Sequence, residues 1–198
     1  MSSEANIARK RGRPKGDEVK NAILKAASDL LREEGFAGFT IEAVASRSGA
    51  ARSSIYRWWP NRSALAVAGF LSETAPKISY GETGSAVTDV TQQLVKVAEV
   101  YGGAVGRTIA TLVAQGQGDP EALRCLLDGY VIPRRAEARR VLERGVANSE
   151  LRPDADLDVL VDALYGPIWY RLLVPHAPLT PEWVTRLTDH VFEGVRRR

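Results

Sequence analysis

The segment from Arg52 to Trp58 carries hydrogen-bonding side chains at the spacing of one short helix. Ala51, Ile55 and Trp59 recur every four residues, so we expect them to share the face that packs against the protein. The opposite face and its edge then carry Arg52, Ser53, Ser54, Tyr56 and Arg57. Arginine can donate two hydrogen bonds to guanine, serine can reach several base edges, and tyrosine can donate to a phosphate oxygen. The pattern predicts a helix that reads DNA, with a solvated surface helix as the alternative.

The residues on either side of this segment predict a helix and a turn before it and a stop after it. Thr40 is predicted to cap a helix whose apolar side begins at Ile41, and a glycine turn at residues 47–50 ends that helix. Pro60 ends the short helix that follows, because the residue before a proline is disfavoured in helical conformation. Helix, glycine turn and short helix together form a helix-turn-helix motif, in which the second helix enters the major groove.

Two further helices flank the motif. The first is predicted to start at Asp17 and to end at Gly35, and the other starts after a cap at Asn61. We therefore assign residues 17–62 to a DNA-binding domain and residues 63–198 to a second domain. Since the rest of the chain shows only helical periodicity, we expect an all-α fold with about nine helices.

A basic arm precedes the first helix at residues 1–16 and is predicted to be flexible. Its "RKRGRPK" holds five basic residues among seven, with a glycine and a proline that keep the backbone slim and extended. Such a segment suits the narrow, negative minor groove, and a solvated tail is the alternative. The residues expected in the groove are Arg11, Arg13 and Lys15. Residues 1–62 carry 12 Lys and Arg against 7 Asp and Glu, whereas the rest carries 15 against 17, so the basic excess lies here.

The stretch "GFAGFTIEAVASRSGAARSSIYRWWPNRSAL" resembles the DNA-binding domain of the tetracycline-repressor (TetR) family of bacterial transcription regulators. The resemblance covers roughly residues 17–70 and includes the glycine turn, the Ile-Tyr pair, the aromatic residue before Pro60 and the Ala-Leu pair after it. It implies a three-helix DNA-binding domain, a larger helical domain that binds a small-molecule effector, and a homodimer built mainly from the last two helices. Its partner would be a double-stranded DNA operator.

The resemblance also implies roles for individual residues. Thr40 would cap its helix at a phosphate, and Arg52 and Ser53 would face bases. The residues implied to contact the DNA backbone are Tyr56, Trp58 and Arg62. Two positions depart from the family pattern, since Trp58 stands where histidine is common and Ser63 where glutamate is common. An indole offers a single hydrogen-bond donor, so the role of Trp58 is open.

The second domain offers two sets of candidate residues. Aromatic side chains along the helical stripes are expected to line a ligand pocket between helices, and this set is Tyr101, Tyr130, Tyr165 and Trp169. The candidate dimer contacts are Leu164, Ile168, Leu172, Leu187 and Val191. For both sets the alternative is the protomer's own core, because core and interface require the same apolar stripe. The basic run at residues 134–140 is interpreted as a solvated face.

The sequence favours no other class of protein. It holds no nucleophile elbow, phosphate loop or metal signature, and its one cysteine, Cys125, and two histidines, His176 and His190, form no motif. We therefore expect no enzyme activity, metal or cofactor. No apolar run is long enough for a membrane span and the N-terminus is no secretory signal, so we expect a cytoplasmic protein.

The predicted function is a repressor released from DNA by a small hydrophobic or aromatic ligand. The alternative is an architectural DNA-binding protein that uses the basic arm without a ligand.

Overall fold

A computed structural model describes residues 16–196, and over this range the chain is built from α-helices, as predicted. The helices are α1 Gly16–Gly38, α2 Ile41–Ser48, α3 Arg52–Trp58, α4 Arg62–Thr74, α5 Ala86–Tyr101, α6 Ala104–Gly118, α7 Pro120–Leu126, α8 Ile132–Ala147, α9 Leu157–Leu173 and α10 Pro181–Glu193. A 3-10 turn, Ala75–Ile78, follows α4, and a π-helical turn, Leu127–Val131, joins α7 to α8. Because α7 continues through that turn into α8, the described part holds nine helical rods.

Helices α1 to α4 enclose the N-terminal part of the hydrophobic core. Phe39, Ile55 and Leu65 are fully buried there, although they come from the α1–α2 connection, α3 and α4. Gly35 has a φ of 65°, a left-handed conformation that redirects the chain near the end of α1, where the sequence predicted a stop. The motif is therefore held by apolar contacts from all the surrounding elements.

Helix α4 packs along α1 at close range. A Cβ atom added at Gly69 would lie 2.8 Å from the Cβ of Ala27, so only a glycine lets the two helices approach this closely. The same helix also packs against α7 and the π-helical turn. The domain boundary predicted at residue 62 thus falls on the first residue of a helix that both parts share.

Side-chain caps start the helices where the sequence indicated them. The hydroxyl of Thr40 accepts from the amide of Ala43 at 3.0 Å, and Asn61 caps α4 in the same way through the amide of Ala64 at 2.8 Å. Asp119 and Thr180 do the same for α7 and α10. Helix α1 is the exception, because it already includes Gly16 and places Asp17 in its first turn.

The second half of the chain encloses a core between α5, α6, α8, α9 and α10. Leu164 and Ile168 of α9 are 0% and 1% exposed in the single protomer. They fill this core and have no surface for a partner to cover, which corrects their prediction as dimer contacts. Helix α9 runs unbroken through Gly166 and Pro167. Pro133 lies in the first turn of α8, directly after the π-helical turn.

A buried carboxylate fastens α5 to α8. The side chain of Asp89 is fully buried and accepts from the amide and hydroxyl of Thr83 at 2.9 and 2.8 Å, while Arg144 of α8 donates to its other oxygen. Burial alone would raise the pKa of Asp89, but the bonds from Thr83 and then Arg144 outweigh it and hold the pKa below its ordinary value of 3.8.

We predict that Asp89→Asn lowers the free energy of unfolding by about 2 kcal/mol at neutral pH, because the variant loses charge-assisted hydrogen bonds and leaves Arg144 unpaired. The folded pKa lies below the unfolded one, so the carboxylate's contribution is complete above pH 3.8 and is lost as pH falls through the folded pKa. Urea unfolding at neutral and acidic pH measures this difference. Asp128→Asn, at an exposed position, is the control and should change little. Equal loss in both variants, or a difference that does not shrink in acid, would contradict the assignment.

Candidate nucleic-acid interface and internal cavity

Helix α3 has one buried and one exposed face, divided as the sequence predicted. Ile55 is fully buried and Trp59 is 7% exposed, whereas Tyr56 is 51% exposed. Ser54 and Trp58 are half-buried at the edge, and the other exposed polar residues are Arg52, Ser53 and Arg57. The outward face therefore presents guanidinium and hydroxyl groups at the spacing that base edges and phosphates require.

One residue of the predicted buried face lies elsewhere. Ala51 is exposed, because it precedes α3 as the N-terminal cap residue in extended conformation. The buried face consequently begins at Ile55, one helical turn later than expected. The methyl group of Ala51 offers no capping hydrogen bond, so the start of α3 is held by its backbone alone.

An ion pair links α3 to α2 on the exposed side. Arg52 Nη1 lies 3.1 Å from Glu42 Oε1, and both side chains are more than 60% exposed. The pKa of Glu42 is lowered first by a backbone hydrogen bond and then by Arg52. Exposed pairs of this kind contribute little to stability. Arg52 can therefore exchange Glu42 for a base edge at small cost.

The two adjacent tryptophans have different surroundings. Their rings meet edge to face, with centroids 5.7 Å apart and planes inclined by 62°. Trp59 is buried against the core, while Trp58 is half-buried and packs against it from outside. Trp58 thus covers the rim of the three-helix core and remains near the polar face of α3.

Arg62 is oriented differently from the phosphate contact that the family resemblance implies. Its guanidinium carbon lies 4.1 Å from the centroid of the Phe36 ring, and Nη2 donates to the carbonyl of Phe36. Its Nε is buried and has no hydrogen-bond partner among the described residues. In this structure Arg62 fastens the start of α4 to the end of α1. The three arm residues Arg11, Arg13 and Lys15 lie outside the described residues.

A cavity of about 280 Å³ lies between α5, the π-helical turn, α8 and α9. All four aromatic residues predicted for a pocket line it: Tyr101, Tyr130, Tyr165 and Trp169. Aliphatic side chains from these elements and from the 3-10 turn complete most of the wall: Ile78, Val97, Val131, Val161 and Ile168. The site therefore offers mainly apolar surface, as do most small-molecule sites.

Four polar residues of the cavity wall were missed by the sequence interpretation: Gln93, Arg134, Arg135 and Asp162. Gln93 falls within the apolar stripe of α5, and Arg134 belongs to the run that was interpreted as a solvated face. Arg134 precedes the buried Ala138 and Leu142 by four and eight residues, so its position on the inner face of α8 was readable from spacing. Its side chain is only 16% exposed and donates to Glu137 at 2.5 Å and to the carbonyl of Ile78 at 2.7 Å.

Tyrosine hydroxyls form two hydrogen-bonded groups around the cavity. Tyr101 and Tyr130 bond to each other, and Tyr80 bonds to Tyr165, which donates to Gln93 Oε1 at 2.7 Å. Burial raises the pKa of all four phenols, to about 12 for Tyr80. They are therefore neutral hydroxyls at physiological pH.

The cavity wall is in contact with α4. The ring of Tyr130 meets the ring of Phe70 edge to face, with centroids 5.6 Å apart. Next to it, a Cβ atom at Gly129 would lie 2.9 Å from Val67, so the π-helical turn and α4 approach as closely as a glycine allows. At the start of α4, Asn61 donates to Glu121 of α7 at 2.7 Å. A displacement of Tyr130 would therefore also displace α4, the helix that directly follows α3.

The described residues include one free cysteine and both histidines of the chain. They contain no cluster of metal-ligating side chains and no helix long and apolar enough to cross a membrane. Cys125 is a half-buried free thiol, and each histidine donates through Nδ1 to a nearby backbone carbonyl.

The exposed polar face of α3 and the helical domain behind it define a DNA-binding transcription regulator of the helix-turn-helix class. Residues 23–68 match the family described as bacterial regulatory proteins, tetR family, and residues 81–191 match the tetracyclin repressor-like C-terminal domain. The HTH-type transcriptional regulator YdeS of Bacillus subtilis is 35% identical over 94% of each chain, and Rv1556 of Mycobacterium tuberculosis is 28% identical over 85% of this chain and 83% of its own. The crystal structure of the TetR family regulator SCO0332 has a TM-score of 0.82 at 33% identity and covers 91% of this chain and 100% of its own. The chain belongs to the TetR family.

We predict that Arg52→Ala weakens binding to a specific operator by about 1–3 kcal/mol while changing non-specific binding much less, because a base contact carries sequence information and a phosphate contact does not. Fluorescence anisotropy with operator and scrambled duplexes at one salt concentration measures both. Arg140→Ala, which removes an exposed charge from α8, should leave both affinities nearly unchanged. Equal weakening on the two duplexes would make Arg52 a phosphate contact instead.

Proposed function

We propose that this TetR-family regulator is a repressor that leaves its operator when a small hydrophobic or aromatic molecule occupies the internal cavity. The observation that carries the proposal is the cavity itself, walled by aromatic and aliphatic side chains and in direct contact with α4 through Tyr130. An architectural DNA-binding protein needs no such space and would be served by a solid core. The cavity therefore favours a ligand-responsive regulator over that alternative.

The proposed DNA interface is the outward face of α3 with the start of α2. Arg52 and Ser53 read base edges, while Thr40, Tyr56 and Arg57 contact phosphates. Thr40 uses its oxygen to cap α2 and retains its hydroxyl hydrogen to donate to a phosphate. Trp58 has one indole N–H at the rim, which suits a single phosphate contact. The basic arm at residues 1–16 adds minor-groove contacts that are independent of this face.

The proposed mechanism is a change in the spacing of two recognition helices. Two copies of α3 must reach successive major grooves, which lie about 34–36 Å apart. A ligand that fits the cavity best when the π-helical turn is displaced would move α4 through Phe70 and Val67, and α3 would move with it. The ligand shifts the equilibrium only by the difference between its affinities for the two arrangements.

The proposed homodimer uses the exposed face of α9. Val159, Tyr170 and Leu173 are 62%, 59% and 44% exposed, an unusual amount of apolar surface for one helix. With Ala163 and Gly166 they form a stripe with alternating spacings of four and three residues, the pattern by which one helix packs against another. A Cβ at Gly166 would meet nothing within 4 Å in the protomer, so this position is open to a partner. Leu172, Leu187 and Val191 are half-buried and would contribute from the margin.

Selection of genomic fragments by the purified protein, followed by sequencing, tests the repressor proposal. We expect an enriched sequence with two-fold symmetry and half-sites one helical turn or a multiple apart, located beside a gene whose transcription rises when the regulator is deleted. A fall in that transcription would make the protein an activator. Enrichment without a common sequence would instead support the architectural alternative.

We predict that Tyr170→Glu shifts the dimer–monomer equilibrium toward the monomer by at least about tenfold, because an unpaired carboxylate is costly to bury in an interface. Sedimentation equilibrium measures the shift, and operator affinity should fall with it. Ile132→Glu, which changes an exposed apolar residue of α8, is the matched control and should remain dimeric. If the Tyr170→Glu protein sediments as the wild-type dimer, the interface lies elsewhere.

A further inference from the structure

The tyrosine hydroxyls near the cavity form two sets, Tyr80 with Tyr165 and Tyr101 with Tyr130. In the first set every hydroxyl hydrogen has an acceptor within the protein. The Tyr165 hydroxyl donates its only hydrogen to Gln93, so Tyr80 must be the donor in the bond between the two tyrosines. Gln93 in turn donates through Nε2 to the carbonyl of Ile78 at 3.2 Å. Both phenol hydrogens of this group already have an acceptor.

The second group retains one hydroxyl hydrogen. Tyr101 and Tyr130 carry two hydroxyl hydrogens, and the bond between them uses one. Neither hydroxyl has another hydrogen-bond partner among the described residues, although both residues line the cavity and are at most 6% exposed. A buried donor without an acceptor is unfavourable, so an acceptor in the cavity would be bound preferentially at this point.

Three aromatic rings converge at the same end of the cavity. The Trp169 ring centroid lies 6.1 Å from that of Tyr101 and 6.4 Å from that of Tyr130, in tilted and edge-to-face arrangements. These separations are typical of favourable aromatic contacts. A ligand that contains a ring can extend this arrangement while it reaches the unused hydroxyl hydrogen.

The charged residues of the wall are already paired. Arg134 contacts Glu137, and Arg135 is hydrogen-bonded to Asp162 with Asp158 at 3.8 Å. An anionic ligand would therefore have to be desolvated without gaining a free cation, which is costly in an apolar site. A neutral molecule avoids that cost.

We propose that the cavity binds a neutral ring compound with one acceptor oxygen, such as a ketone or ester carbonyl, which accepts the unused hydrogen of the Tyr101–Tyr130 pair. The inference rests on the proposed role of the cavity as the effector site and adds the chemical class of the effector. The cavity volume of about 280 Å³ sets the size. This volume lies just below the roughly 300–1,000 Å³ that is usual for ligand sites, so the compound is small.

Calorimetric titration of the full-length protein with three naphthalene derivatives of similar size tests the proposal. Acetylnaphthalene has a ketone, ethylnaphthalene has no acceptor, and naphthoate is an anion at neutral pH. We expect acetylnaphthalene to bind roughly two- to tenfold more tightly than ethylnaphthalene, the effect of one net hydrogen bond, and naphthoate to bind most weakly.

Variants test whether the Tyr101–Tyr130 pair donates the hydrogen bond to the ketone. Tyr101→Phe and Tyr130→Phe should each retain the preference for the ketone, because the remaining hydroxyl keeps its hydrogen. The double variant should lose the preference while still binding ethylnaphthalene. Tyr80→Phe is the control, since Tyr80 belongs to the satisfied group, and it should retain the preference.

The outcomes separate this inference from the proposed function. Equal affinity of the wild type for ketone and hydrocarbon, or an unchanged preference in the double variant, would overturn the acceptor assignment and leave the cavity a ligand site. Tighter binding of naphthoate than of the ketone would overturn the neutrality of the ligand. Absence of binding by all three compounds to the wild type would overturn both the chemical class and the effector role of the cavity. The wild-type comparison decides these points even if the double variant fails to fold.

Discussion

Helix α4 packs against both halves of the protein at the closest distance that side chains permit. Gly69 lets it approach Ala27 of α1, and on another side Val67 meets Gly129 of the π-helical turn. Phe70 adds an aromatic contact to Tyr130. Because packed interfaces of this density do not deform gradually, α4 cannot move relative to one half without disturbing the other. The position of the DNA-facing helix and the shape of the cavity are thereby tied to a single element.

Polar contacts at the start of α4 strengthen this coupling. Arg62 joins its first turn to the carbonyl and ring of Phe36, and Asn61 joins the preceding turn to Glu121 of α7. In this arrangement Arg62 is a structural residue of the connection between α1 and α4. The family resemblance implied a phosphate contact at this position, whereas the guanidinium lies over the Phe36 ring.

Local signals in the sequence were sufficient to predict the helices and the polar face of α3. Capping residues such as Thr40 and Asn61 act within one turn, so their effect can be read without knowing the fold. The four-residue spacing likewise separated Ile55 from Tyr56. Ala51 was misplaced because spacing alone does not reveal where a helix begins. The aromatic wall of the cavity could also be predicted, since few other positions place large rings on inner stripes.

Properties that depend on long-range packing could not be predicted in the same way. An apolar stripe on α9 was visible, but which side faces the protomer depends on the neighbouring helices, so Leu164 and Ile168 were assigned to an interface although they fill the core. The exposed stripe that includes Tyr170 emerges only from the packed structure. Arg134 was misassigned in the other direction. The run at residues 134–140 was interpreted as a solvated face, although the Arg134 side chain faces the interior. The Arg52–Glu42 pair is also a tertiary contact and left no local signature.

In the proposed mechanism, occupancy of the cavity and binding of DNA oppose each other through α4. The most direct test measures operator affinity by fluorescence anisotropy with and without acetylnaphthalene, at concentrations that calorimetry shows to saturate the protein. Linkage requires that the ligand weaken operator binding by the same factor by which the operator weakens ligand binding. We predict a matched weakening in both directions. An operator affinity that stays unchanged while the cavity is saturated would contradict the account.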